Sequence, residues 1–143
     1  MKKAFSLFEI IIVTIVISII ASFSISKIND SLNKSIKLKI KSEIALIRNS
    51  IDKIKTKKIL LKENSLTILD DATVNLQNSK LFSKILDFPL ISTNKETKEI
   101  GKWIKLSDKS YWIFITDDEY LEFYFENNSF ICKSASSLCK DYE

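Results

Sequence analysis

Residues 28–58 read INDSLNKSIKLKIKSEIALIRNSIDKIKTKK, and their apolar positions decide how the chain is folded. Ile28, Leu32, Ile36, Ile40, Ile44, Ile47, Ile51 and Ile54 recur at spacings of four and three. That period places them on one stripe of an α-helix, with lysines and serines on the other faces. Neither Gly nor Pro interrupts the chain from Phe5 to Lys58. The spacing therefore predicts one helix of about 50 residues, about 80 Å long if unbroken. A single apolar stripe needs a partner, and the C-terminal third supplies a suitable one.

From Lys102 the period changes to two. Residues 102–107, 111–116, 120–126 and 129–133 read as strands, with turns at 108–110, 117–119 and 127–128. In the third of them Leu121, Phe123 and Phe125 alternate with Tyr120, Glu122, Tyr124 and Glu126, so one face is buried and the other wet. Links this short make an antiparallel meander, whose apolar face fits the isoleucine stripe. The expected class is α+β. Between helix and meander, 59–61 and 66–69 suggest short strands. Asn78 or Ser79 suggests the cap of a short helix carrying Leu81, Phe82, Ile85 and Leu86, ended by Phe88-Pro89.

Composition narrows the chemistry. The chain has 143 residues, no His, one Gly (Gly101) and one Pro (Pro89). Without His it lacks the usual imidazole base and metal ligand, and no nucleophile motif or phosphate loop is present, so the expectation is a protein that is not an enzyme and needs no cofactor. The net charge of +4 is unevenly distributed. Residues 27–62 carry eleven Lys/Arg against three acids, and residues 108–143 carry eight acids against three lysines. The basic stretch reads as a solvated helix face, as a surface for anionic lipid or DNA, or as a face that meets the acidic part of another copy.

The first residues, KKAFSLFEIIIVTIVISIIASFSIS over 2–26, form the other apolar segment. From Phe5 to Ser26 it runs 22 residues with Glu9 as its sole charge. As a helix it would rise about 33 Å, enough for a bilayer. Lys2 and Lys3 before it would keep the N-terminus cytoplasmic and send everything after Lys27 outward. A secretory signal peptide cut near Ser22-Phe23-Ser24 is the rival reading. Downstream of either export-type segment, Cys132 and Cys139 read as a disulfide closing a small loop.

Lys2-Lys3-Ala4 followed by Phe5-Ser6-Leu7-Phe8-Glu9 and an apolar helix resembles the leader of type IV pilins and type II secretion pseudopilins. The resemblance covers about the first 26 residues and departs from the family pattern in having Ala4 where Gly is usual. It implies cleavage by a prepilin peptidase between Ala4 and Phe5, N-methylation of Phe5, and a filament-assembly role for Glu9. It further implies a lollipop fold divided into a leader (1–4), a transmembrane half-helix (5–26), an amphipathic stem (27–58) and a periplasmic head (59–143). The implied localisation is the inner membrane, single-pass, with the head in the periplasm. The implied partners are other pilins or pseudopilins, an inner-membrane platform with its ATPase, membrane lipid, and DNA or a secreted protein. A single-span anchored binding or scaffold protein that does not polymerise is the alternative. Physically, cleavage would create an amine at Phe5 that Glu9 of a neighbouring copy could pair with.

Two further groups admit two readings each. Asp117, Asp118 and Glu119 are a hairpin turn or a calcium site. Trp103, Tyr111, Trp112, Tyr120 and Tyr124 are sheet packing or, beside lysines, a stacking surface for single-stranded DNA.

Overall fold

A computed structural model describes residues 6–143, with side-chain surroundings for all of these except 24–30. Helix α1 runs Leu7–Leu61 and is followed by β1 (Lys80–Leu81), β2 (Leu90–Ile91), β3 (Trp103–Lys105), β4 (Ser110–Phe114), β5 (Tyr120–Glu126), β6 (Ser129–Cys132) and α2 (Ser136–Tyr142). The chain divides into two compact units, one ending at Ser35 and one comprising Ile36–Glu143.

In the first unit Ser6 caps α1: its carbonyl and its hydroxyl both accept from the Glu9 N–H, at 3.1 and 3.2 Å. The apolar side chains of 7–23 are exposed, among them Leu7, Phe8, Ile12 and Phe23. The Thr14 and Ser18 hydroxyls donate back to the carbonyls of Ile11 and Thr14, satisfying themselves within the helix.

This unit corrects the expected membrane-spanning half-helix over 5–26. Among the described residues no helix is long and apolar enough to cross a membrane. The fold class that rested on a membrane-spanning first half is corrected with it, as are the single-pass inner-membrane localisation and the anchored alternative.

The second unit, here called the head, is built on helical residues 36–61. Ile40, Ile44, Ile47 and Ile51 are 0–2% exposed, and Ile36 and Ile54 pack at the margins of the same core. An open antiparallel sheet in the order β3-β4-β5-β6 covers that stripe. Its register places Trp103 opposite Ile113, Ile113 opposite Leu121, and Phe125 opposite Phe130. Every one of these side chains faces the helix and is buried. The β5–β6 turn is Asn127-Asn128 with φ of 51° and 57°, the left-handed pair that a two-residue hairpin demands. Gly101 has φ of 72° and its carbonyl accepts from Lys39 Nζ at 2.8 Å. The positive φ favours glycine there.

The middle of the chain departs from the expected elements. Residues 59–61 do not form a strand but the last turn of α1, which closes where Lys62 adopts φ of 55° and the Glu63 N–H donates to the Lys58 carbonyl at 2.9 Å. Residues 66–69 form no strand, and no helix forms over 78–86. Instead Lys80–Leu81 pairs with Leu90–Ile91, and Phe82 takes φ of 60°. The cause lies outside the segment: the Asp70 carboxylate accepts the Phe82 N–H at 2.9 Å and holds the backbone out of a helix. At the C-terminus Cys132 and Cys139 are disulfide-bonded. The loop they close contains the first turn of α2, a helix not expected from the sequence, which lays Leu138 and Tyr142 against the core.

Candidate functional site

The two faces of the sheet are chemically unlike. The inner face meets α1 and holds an aromatic cluster in which Phe82, Trp103, Tyr111, Phe123 and Phe130 lie 4.7–6.0 Å apart between ring centroids. Its polar groups satisfy one another. Asp70, fully buried, accepts from Tyr111 Oη at 2.9 Å, Lys105 Nζ at 3.0 Å, and the N–H groups of Phe82 and Ala72. Lys105 Nζ also lies 3.2 Å from Asp108. Burial alone pulls Lys105 down, but the Asp70 and Asp108 carboxylates outweigh it and hold its pKa above the ordinary value. Burial, then the Asp70 charge, pushes the Tyr111 phenol well up, so it stays a donor. Nearby, Trp103 Nε1–H donates to Glu43 at 2.8 Å. Burial raises the Glu43 carboxyl above its usual range despite that bond and the lysine at 39. The Asp70 group ties loop to sheet, and the separate Trp103–Glu43 bond ties sheet to helix. Asp70 is the centre of the first group, whereas Asp71 beside it is exposed and pairs with Lys84.

The outer face is only partly covered, with Ile104 and Phe114 buried on it. Trp112, Phe114, Tyr120, Tyr124 and Ile131 alternate with the core residues of their strands and point away from α1. Trp112 and Tyr120 stack at 4.0 Å with their planes 19° apart. Lys95 Nζ sits 5.1 Å from the Trp112 ring centroid, within cation–π range. The loop carrying Lys95 is fixed by three donors to Asn94 Oδ1 and by Lys95 N–H to Asn75 Oδ1 at 2.9 Å. These groups border a cleft of about 360 Å³, completed by Lys98, Phe114, Asp117 and Asp118. Trp112 Nε1–H is buried without an acceptor among the described residues. Tyr120, Tyr124 and Ile131 are 37–41% exposed. Aromatic and branched side chains left half-open beside lysines and carboxylates have the composition of a binding surface.

The other sequence candidates fall elsewhere. Asp117, Asp118 and Glu119 form the β4–β5 turn, where the Thr116 hydroxyl accepts from the Glu119 N–H at 3.0 Å. Among the described residues no group of three metal-binding side chains converges, at this turn or elsewhere. Of the five aromatics proposed to stack on DNA, Trp103 and Tyr111 are buried on the inner face. The basic helix lies across the sheet from the other three, so Lys95 and Lys98 are the lysines that border their cleft. Glu9 is exposed in the first turn of α1. Ala4 and Phe5 lie outside the described residues.

No family model, no curated protein and no solved structure matches this chain. The resemblance to type IV pilins and pseudopilins is corrected on that ground and on the lack of a membrane-crossing helix among the described residues. Its motif is confined to the first residues, and four of the positions that carry it, Lys2, Lys3, Ala4 and Phe5, lie outside the described residues. The filament-subunit role that the resemblance implied falls with it.

Proposed function

We propose that the head is a non-enzymatic binding module that engages a protein partner through the outer face of its sheet. The single observation that carries this reading is the stacked Trp112–Tyr120 pair, left half-open above a cleft while the aromatics of the inner face are sealed. Stacked aromatics offer a large, stiff contact area at low entropic cost. Lysine and carboxylate groups of both signs at the rim suit a mixed polypeptide surface better than a uniformly anionic strand. A binding role also accords with the fate of the buried ionisable groups. Asp70, Lys105, Tyr111 and Glu43 are engaged by one another, by the indole of Trp103 or by backbone, an arrangement suited to holding the fold.

DNA is the other partner class considered from sequence, and it makes a different prediction. Contact with phosphates would weaken steeply and log-linearly with salt and would depend on the helix lysines. The test is co-purification of the tagged chain from its native cells with and without Tyr120→Ala. Loss of a nuclease-resistant protein partner in the variant, with an unchanged circular dichroism spectrum, is the expected outcome. Retention of that partner, or a partner removed by nuclease, would refute the reading.

A further inference from the structure

A second surface of the head lies on the opposite side of the sheet, where α1 meets the loop carrying residues 83–88. A groove of about 390 Å³ runs between them. Ile54, Ile85 and Leu86 form its floor, Leu46 stands on one wall, and Phe88 stands at the lip. The head contains six phenylalanines; five are at most 3% exposed and Phe88 is 88% exposed. Its placement is firm. The N–H groups of Lys84, Ile85 and Leu86 donate to the carbonyls of Leu69 and Phe82 at 2.9–3.1 Å, and Pro89 restricts the backbone at 88 to an extended form.

The rim of the groove carries Lys53, Lys57 and Lys84 against one acid, Asp87. Lys84 is engaged by Asp71 at 2.7 Å. Lys53 and Lys57 have no ion-pair partner among the described residues. They are spaced one helical turn apart and so project to the same side of α1. An apolar floor with an exposed aromatic anchor and a one-sided positive rim is complementary to a ligand that is apolar and negatively charged. We propose that this groove binds a short acidic polypeptide segment that presents large apolar side chains between its carboxylates. The floor would take the apolar side chains, and Lys53 and Lys57 would pair with the flanking acids and set the direction of the segment. This site is independent of the outer sheet face and stands whether or not that face binds.

The experiment titrates the full chain into a fluorescein-labelled peptide of about a dozen residues, built from Glu and Leu around a central Phe, and follows anisotropy. Two control peptides replace every Glu by Lys or every apolar residue by Ser. We expect saturable binding of the acidic apolar peptide alone. The double reversal Lys53→Glu/Lys57→Glu, which alters two exposed side chains and leaves the core intact, should weaken it about tenfold or more, with a shallower salt dependence. Phe88→Ser should weaken it about tenfold as well, and Tyr120→Ala should leave it unchanged. No binding, equal binding of the Ser control, or unchanged affinity in the reversed variant would overturn the proposal. So would sedimentation of the unliganded chain as a dimer that the double reversal dissociates, since the occupant would then be a second copy.

Discussion

The inner and outer faces of the same four strands are built from similar side chains and end in opposite states. On the inner face Trp103, Tyr111 and Phe123 are at most 1% exposed and every polar atom is met. On the outer face Trp112 and Tyr120 stack against each other in part-solvent and the Trp112 N–H has no acceptor among the described residues. The strands cannot account for this, because alternation gives both faces the same backbone. What differs is the cover. The inner face has a helix with a continuous isoleucine stripe; the outer face has the loops around Asn75 and Lys95, which reach Trp112 and stop. Burial by a partner would complete what the loops leave open.

The largest effect should come from breaking the inner network. Asp70→Ala leaves Lys105 buried with only the exposed Asp108 to face, and removes the acceptor of Tyr111 and Phe82. An uncompensated buried charge of this kind costs about 3–5 kcal/mol, measurable by urea denaturation. A loss below about 1 kcal/mol would show that the network is dispensable.

A matched pair of truncations sharpens the contrast between faces. Phe123→Ala on the inner face should destabilise by about 3–5 kcal/mol. Tyr120→Ala, on the outer face of the same strand and 38% exposed, should cost under about 1 kcal/mol while removing the partner. Equal stability losses would mean the outer face is core.

The disulfide comes next. Replacing Cys132 and Cys139 by serine frees α2 from β6, and a closed loop of this length corresponds to about 2 kcal/mol on the chain-entropy account. Thermal melts of the two forms would measure it.

The smallest effect is a pH dependence. Burial raises the Glu43 carboxyl in the folded chain above its ordinary value of 4.5. The folded state therefore holds this proton longer than the unfolded state does, so its contribution is full below that value and is lost as pH rises through the raised folded value. Glu43→Gln keeps an acceptor for Trp103 and removes the titration. The variant should gain stability relative to the parent as pH rises across that window, and a pH-independent difference would refute the assignment.

Much of the head was legible in its sequence because two periods announce it. The isoleucines at spacings of three and four mark the face of α1 that is buried, and the alternation in YLEFYFE marks both faces of β5. The Asn127-Asn128 turn and the Cys132–Cys139 pair were readable from local chemistry. What was not legible depends on contacts far apart in the chain. Nothing near Asp70 says that it will capture Phe82, Lys105 and Tyr111, and that capture turns an apparent helix at 78–86 into a strand and a turn. The aromatics of 103–124 looked like one stacking surface, yet alternation divides them between the two faces. The N-terminal segment misled in another way. Its hydropathy suggested a membrane span and its first residues a family, and neither the described helix nor any comparison supports them.

The claim that the outer face exists to be covered is tested most directly by a photo-crosslinking amino acid placed at position 120 in the native cell, with Glu96, also exposed, as the control position. The account predicts a discrete, nuclease-resistant protein adduct from position 120 that disappears when Trp112→Ser is added, and none from position 96. Absence of an adduct at 120, or an adduct indifferent to Trp112, would contradict it.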